Sequence, residues 1–287
     1  MILVTGAAGF IGGCLVDTLS PHDVLLCDVR DDSMLSPDAA LGAIGDDAVT
    51  CVYHLGAISS TTVTDITAMT ENNILFPARL LQVAMHKDIP FVYASSASVY
   101  GSVEGPHKES QPARPVNYYA ISKTAFDMFA QEKIKDNPGA RIVGLRYFNV
   151  YGHKEHRKDD MASPVHKFIH QARTTGEIKV FTGSEAYQRD FIHVEDVVDI
   201  TLAASKFGPE ASGIYNVGTG VARSFRDVAD IIASNCGAEV VEIPFPEHLQ
   251  GKYQNHTQSD NSNLENAGYT APRITLEDGI QKVLTAI

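Results

Sequence analysis

Three side chains have the types and spacing to move a proton at an alcohol or carbonyl oxygen. In Tyr119-Ala120-Ile121-Ser122-Lys123, Tyr119 and Lys123 stand four residues apart, so they project from one side of a helix and can share a site. A phenol that titrates at about 10 in water is a poor base at neutral pH. A neighbouring ammonium and an oxidised nicotinamide would both favour its phenolate, which makes Tyr119 a candidate proton shuttle. An ordinary helix with an exposed lysine and a half-buried tyrosine has the same spacing, so the motif draws its weight from its surroundings. Those surroundings are Tyr93-Ala94-Ser95-Ser96-Ala97-Ser98-Val99-Tyr100-Gly101, an apolar strand ending in hydroxyls. Ser96 can hydrogen-bond a reacting oxygen at the carboxyl edge of a sheet, although such hydroxyls also serve simply to end a strand.

A second constellation is suited to a dinucleotide. In Val4-Thr5-Gly6-Ala7-Ala8-Gly9-Phe10-Ile11-Gly12, glycines recur every third residue after an apolar run and before a helical pattern. Gly6, Gly9 and Gly12 let the backbone turn sharply and approach a pyrophosphate, whose charge meets the N–H groups and dipole of the following helix. Asp28 falls at the end of the second strand-like run, placed to accept a hydrogen bond from the adenosine ribose. Arg30, two residues on, could answer a 2′-phosphate. Asp28 points to NAD and Arg30 to NADP, and both stay open.

The elements that must position these residues alternate along the first half of the chain. Strand-like runs cover Ile2 to Val4, Val24 to Asp28, Cys51 to Leu55, Phe91 to Ser95 and Ile142 to Tyr147. Helical spacing of apolar residues covers Phe10 to Leu19, Asp65 to His86 and Tyr118 to Lys135. This order predicts an α/β fold, a doubly wound parallel sheet of the Rossmann type with a smaller α/β lobe. The alternation fades after Tyr151-Gly152 into the polar stretch His153 to Asp160, and Ile214 to Gly218 reads as a strand returning to the sheet. The predicted division is 1–150 with 190–217 for the dinucleotide and 151–189 with 218–287 for the substrate.

Composition excludes several classes. The 287 residues are 44% hydrophobic and 20% charged, which suffices for a substantial core. A formal charge of -12 leaves no basic stripe for a nucleic acid. No apolar run is long enough to span a membrane, and Met1 leads directly into Ile2 to Val4 without a basic n-region, so a cytoplasmic protein is expected. The four cysteines are widely spaced within apolar segments and are expected to be buried free thiols. His153, His156, His166 and His170 lack the supporting ligands of a zinc site, so no metal is expected.

These residues bring the chain to a known family. It resembles the extended short-chain dehydrogenase/reductases that act on nucleotide sugars, over almost its whole length and most strongly in Thr5 to Gly12, His54 to Ser60, Ala94 to Gly101, Tyr119 to Lys123, Arg146 to Gly152, Arg189 to Asp196 and Tyr215 to Gly220. Within the family, Gly56 to Thr62, Glu71-Asn72-Asn73, Arg146 to Gly152, Met161-Ala162-Ser163, Phe181 to Ser184 and Gln188 to Phe191 are similar to the ADP-glycero-manno-heptose 6-epimerases. The resemblance implies cofactor contacts at Phe10, Ile11, Leu55, Gly56, Ala57, Ile58, Ser59, Asn72, Lys123 and Val150. It implies that Asn149, Phe181, Thr182, Gly183, Ser184, Arg189 and Tyr253 hold the sugar nucleotide, Arg189 on a phosphate. Lys158 falls where that group keeps a lysine near the reacting carbon, although it also reads as one more solvated charge beside Lys154 and Arg157. Relatives often pair through helices such as Asp65 to His86 and Tyr118 to Lys135, which implies a homo-oligomer.

Two departures stand out. The stretch between Asp28 and Cys51 is too short for a usual third strand, and Asp28-Val29-Arg30-Asp31 looks as if two strands had merged. The edge strand that usually walls the adenine is therefore expected to be missing. Lys167 stands where the heptose epimerases tend to carry His; its longer cation would reach a different phosphate or sugar hydroxyl. The activity implied is epimerisation through a transient ketone, with Tyr119 and Lys158 as acid/base groups and Ser96 orienting the oxygen. A UDP- or GDP-hexose 4-epimerase or a reductase would use the same serine, tyrosine and lysine. A 4,6-dehydratase would need an acid beside Ser96, where this chain has Ala97. A cofactor-sensing protein without turnover is the reading from another class.

Overall fold

The structure is a computed structural model that describes residues 1–46, 48–246, 255–269 and 272–286. Its strands are β1 (Ile2–Thr5), β2 (Val24–Cys27), β3 (Cys51–His54), β4 (Phe91–Ser96), β5 (Ile142–Tyr147), β6 (Asn149–Tyr151), β7 (Glu177–Phe181), β8 (Gln188–His193), β9 (Gly213–Val217), β10 (Ala222–Ser224) and β11 (Glu239–Ile243). The helices are α1 (Phe10–Val16), α2 (Pro37–Gly45), α3 (Ile66–Thr70), α4 (Phe76–His86), α5 (Tyr118–Asp136), α6 (Pro164–Thr175), α7 (Val194–Ala204), α8 (Phe225–Cys236), α9 (Ser262–Asn266) and α10 (Leu276–Ala286).

Six strands form one parallel sheet in the order β2-β1-β3-β4-β5-β9. Helices cover both faces, which is why most of its strands are continuous apolar runs rather than alternating ones. One face packs Phe10, Cys14 and Leu15 of α1 and Val197, Val198 and Ile200 of α7. The other packs Ala40 and Ile44 of α2, Leu80, Leu81 and Ala84 of α4, and Phe126 and Ala130 of α5. The winding reverses between β1 and β3, the place at the carboxyl edge where sheets of this kind bind ligands.

As expected, the sheet ends at β2. What remains of a further strand is one bridge, in which Leu35 N–H donates to the Leu26 carbonyl beside Cys27. The chain then enters α2, capped by Ser36, and its buried Ala40 and Ile44 close this flank against α4.

The second lobe packs α6, α8 and α10 around Ile178 and Val180 of β7 and Phe191 of β8. Ser224 and Asp227 cap α8 reciprocally, and Ser163 with Pro164 starts α6. Two small sheets complete the fold: β10-β8-β6, whose β8 gives Phe191 to the second core and Ile192 to the first, and β11-β7, which packs in the second core. Leu264 of α9 and Tyr269 pack on the large sheet rather than in the second lobe, so the chain crosses between lobes once more than the strand returning at β9. Cys14, Cys27 and Cys51 are buried free thiols, but Cys236 is exposed. This corrects the expectation for Cys236: it closes α8 on the solvent side, just before Gly237 ends the helix.

Candidate functional site

The glycine loop lies where the winding reverses. Gly6 adopts φ +72°, and a Cβ there would stand 2.5 Å from Gly56 N, so the loops after β1 and β3 are packed backbone to backbone. A Cβ on Gly12 would collide with the Gly6 carbonyl oxygen. Among the described residues no side chain caps α1 at Gly9, so its first N–H groups can meet an anion. These features fit a pyrophosphate, whose close approach to backbone is what the glycines permit.

The wall opposite is Leu55 to Ser59. Thr5 Oγ1 bonds His54 Nδ1 at 2.7 Å and accepts from Gly56 N–H at 3.3 Å. Burial, with Lys123 nearby, pulls the His54 imidazole down to about 3, so it stays neutral. Asn73 clamps the next turn: its Oδ1 accepts from Ile58 N–H at 2.8 Å and its Nδ2 donates to Ile58 O and Ser122 Oγ, each at 3.0 Å. Between α3 and α4 the helix widens by one residue, and Phe76 N–H reaches back five residues to the Glu71 carbonyl. That widening accompanies the split between neighbours: Asn73 is buried against the loop, while Asn72 donates to the Ala68 carbonyl of its own helix.

Asn117 accepts from Ala120 N–H at 2.9 Å and thereby starts α5 at Tyr118. Tyr119 is thus in the first turn and Lys123 one turn later. The Lys123 ammonium is buried, donates to Ala94 O at 2.8 Å, and lies 6.0 Å from the centre of the Tyr119 ring. Burial pulls Lys123 down to about 8, with Asp127 working in the other direction. Burial raises the Tyr119 phenol above its ordinary value, and the neighbouring Ser96 hydroxyl opposes that rise. Ser96 ends β4, with its Oγ accepting from Ser98 N–H at 3.2 Å. Ser96, Tyr119 and Lys123 therefore meet at one place.

Behind them lies a buried ion pair, Arg146 Nε to Asp127 Oδ2 at 2.9 Å. Tyr93 donates to Asp127 at 3.0 Å, and Arg146 donates to Tyr100, whose hydroxyl reaches Asn216 at 2.6 Å. This network fixes α5 against β4, β5 and β9.

Asp28 directly follows β2 with its carboxylate turned to Ala8 N–H and Arg30. The polar stretch after Gly152 folds as a short helical turn, Glu155–Met161, lying on the glycine loop. Lys158 Nζ sits 5.6 Å from the Phe10 ring centre and 3.6 Å from Glu155, whose buried carboxylate also takes Ser163 N–H and Oγ at the start of α6. Glu155, Arg157, Thr5, His54 and Asn73 escaped the sequence reading of roles, although Thr5, His54 and Asn73 lay in motifs already singled out and Glu155 and Arg157 in the polar stretch after Gly152.

The remaining residues are spread over β6, β8, the end of β7 and α6. Asn149 on β6 donates to Asp190 O at 3.3 Å and Thr257 Oγ1 at 3.2 Å, and Val150 is buried beside it. Arg189 on β8 is buried, its guanidinium 5.3 Å from the Phe225 ring centre and donating to Gln188 O. Phe181 ends β7 edge-on to Phe245; Thr182 binds Ile243 O, Gly183 takes φ +81°, and Ser184 is buried. Lys167 is exposed on α6. Tyr253 lies outside the described residues.

The sequence pattern of the family described as "NAD dependent epimerase/dehydratase family" matches residues 2–218. An ADP-L-glycero-D-manno-heptose-6-epimerase of Alkalilimnicola ehrlichii is 41% identical over 100% of this chain and 97% of its own. The crystal structure of the ADP-L-glycero-D-manno-heptose-6-epimerase of Helicobacter pylori superposes with a TM-score of 0.87 at 30% identity, covering 99% of this chain and 94% of that one. A UDP-glucose 4-epimerase of Thermus thermophilus, solved in complex with NAD, gives 0.82 at 26% identity over 99% and 98%.

Proposed function

Because the chain belongs to the NAD dependent epimerase/dehydratase family, we propose that it inverts one carbon of a nucleotide sugar, with an ADP-activated glycero-manno-heptose as substrate and C6 as the centre inverted. The observation that carries this reading is the meeting of Ser96, Tyr119 and Lys123 where the end of β4 faces the first turns of α5. A tightly bound nicotinamide dinucleotide, lying along Gly6 to Gly12, Leu55 to Ser59 and Lys123, supplies reversible hydride transfer. Tyr119 exchanges the proton of the sugar hydroxyl for the hydride transfer at one face, taking it as the carbon becomes a ketone and returning it in the reverse direction. Ser96 holds the same oxygen through its hydroxyl, and the Lys123 ammonium favours the phenolate form of Tyr119. Lys158, on a turn that reaches the cofactor loop, is the second acid/base group for the opposite face. Rotation about the exocyclic C5–C6 bond suffices to present that face.

Residues 1–150 and 190–217 carry the dinucleotide and 151–189 and 218–287 the nucleotide sugar, with 262–269 packed back on the first unit. Asn149, Lys167, Arg189 and the Phe181 to Ser184 turn are the sugar-nucleotide contacts. Exposed apolar side chains on the helical segments 66–86 and 118–136, among them Ile66, Leu75, Ile121 and Met128, support self-association into a homo-oligomer. Incubation of the protein with each C6 epimer of the ADP-heptose, without added reductant, tests the function by NMR. Both should relax to the same mixture; an unchanged heptose together with inversion of a UDP-hexose at C4 would contradict the substrate assignment.

A further inference from the structure

The Glu155–Met161 turn is fastened to both lobes. Lys154, just before it, donates to Gly13 O at 3.2 Å and pairs with Asp17, and Arg157 donates to Gly9 O at 3.3 Å, which ties one side of the turn to α1 and the glycine loop. Glu155 ties the other side to α6: its Oε1 accepts from Ser163 N–H at 2.6 Å and its Oε2 from Ser163 Oγ at 2.9 Å. Ser163 is also the residue that caps α6, its Oγ accepting from His166 N–H at 3.3 Å, and α6 sends Val165 and Ile169 into the core of the second lobe. The carboxylate therefore lies at the positive end of a 12-residue helix, a favourable place for an anion.

The turn is a 3₁₀ helix, in which side chains at i and i+3 stand over one another. Glu155 and Lys158 have that spacing. The Lys158 ammonium comes to 3.6 Å from Glu155 Oε1, with the Phe10 ring centre 5.6 Å away. The Glu155 side chain is 1% exposed and that of Lys158 29%, so the anion is fixed inside the protein and the cation reaches out from it. A charge-assisted hydrogen bond would be about 2.8 Å long. At the longer distance Glu155 attracts the ammonium by charge and takes none of its N–H donors.

We propose that Glu155 is the positioning residue for Lys158: fastened to the start of α6, its buried carboxylate holds the lysine ammonium over Phe10, between the cofactor loop and the substrate lobe. The inference rests on the reading of Lys158 as the second acid/base group. As hydride returns from the nicotinamide to the opposite face of the carbon, the ketone oxygen takes a proton from the Lys158 ammonium; the N–H bond breaks, the O–H bond forms, and Lys158 is left as a neutral amine. In the other direction the amine takes the hydroxyl proton, and the ammonium forms again beside the carboxylate. An unpaired lysine samples many rotamers, and a fixed anion at its tip removes that freedom before the sugar arrives.

Kinetics of the cofactor-loaded enzyme on the ADP-heptose epimers, compared among wild type, Glu155→Gln, Lys158→Met and the double variant, tests this, with long incubations where turnover is slow. Glu155→Gln keeps the shape of the side chain and removes its charge. It should lower kcat about 10- to 100-fold with KM and dinucleotide affinity near the wild-type values, and Glu155→Asp, which keeps the charge, should recover part of the loss. In the Lys158→Met background Glu155→Gln should lower kcat no further, because it acts through the lysine. An equal loss in both backgrounds, an effect confined to KM, or wild-type kcat in Glu155→Gln would overturn the inference and leave Lys158 in its role. Wild-type kcat in Lys158→Met would overturn the reading beneath it as well. Should Glu155→Gln not fold, the same cycle run with Glu155→Asp, whose carboxylate is drawn back from the lysine, decides by the same outcomes.

Discussion

Lys123 donates a 2.8 Å hydrogen bond from its buried ammonium to the carbonyl of Ala94, two residues before Ser96. The bond ties the first turns of α5 to the end of β4, so the phenol, the ammonium and the serine hydroxyl are fixed by two regular elements rather than by a loop. Rigid placement of this kind is what lets a proton move without rearrangement of its carriers.

Tyr119→Phe removes only the hydroxyl and keeps the ring. Turnover should fall by about 10²- to 10⁴-fold while dinucleotide affinity and Tm stay at the wild-type values. Steady-state kinetics with a parallel cofactor titration checks both halves.

The ammonium of Lys123, pulled from 10.5 to about 8 by burial, is the form that favours the phenolate. The pH profile of kcat/KM for the cofactor-loaded protein should therefore fall as pH rises through this range, and Lys123→Met should abolish that limb along with most activity. Stability has the opposite slope. Because the folded pKa is the lower one, the unfolded chain binds more protons between about 8 and 10.5, so this group makes the fold more stable as pH rises across that window. Urea unfolding of wild type and Lys123→Met at several pH values isolates the contribution.

Asp127→Ala leaves the buried Arg146 guanidinium without its anion. The expected loss is about 3–5 kcal/mol by urea unfolding. Adding Arg146→Met should restore most of it, since no charge is then left unpaired.

Gly12→Ala would drive a methyl into the Gly6 carbonyl, whereas Gly42, inside α2, has nothing within 4 Å of a Cβ. The first should abolish dinucleotide binding and destabilise the fold. The second should raise stability by about 0.5–1 kcal/mol, the usual helix gain over glycine.

Much of this was legible because it is local. Short apolar runs gave the strands of the large sheet, the Tyr119 to Lys123 spacing needs only one helical turn, and the shortness of the Asp28 to Cys51 stretch announced the lost edge. Other features depend on geometry that periodicity does not carry. Glu71-Asn72-Asn73 was recognised as a motif, but a helix widened by one residue turned Asn73 rather than Asn72 to the loop at Ile58. Arg30 was noticed beside Asp28; that its guanidinium pairs with the carboxylate, and that Arg157 reaches Gly9, follows from contacts made only in the fold. Glu155 carries no local signal of its role, because its partners, Ser163 N–H and Oγ at the start of α6, are set by the fold of the turn.

The central claim is that Tyr119, set by Ser96 and Lys123, carries a proton for an oxidation that is reversed within the same site. It is tested most directly by letting the protein epimerise its nucleotide sugar in deuterated water, with no added reductant, and reading the inverted carbon by mass spectrometry and NMR. The account predicts inversion with essentially no deuterium bound to that carbon. Stoichiometric deuterium there would show that the carbon exchanges a proton with solvent, and would contradict it.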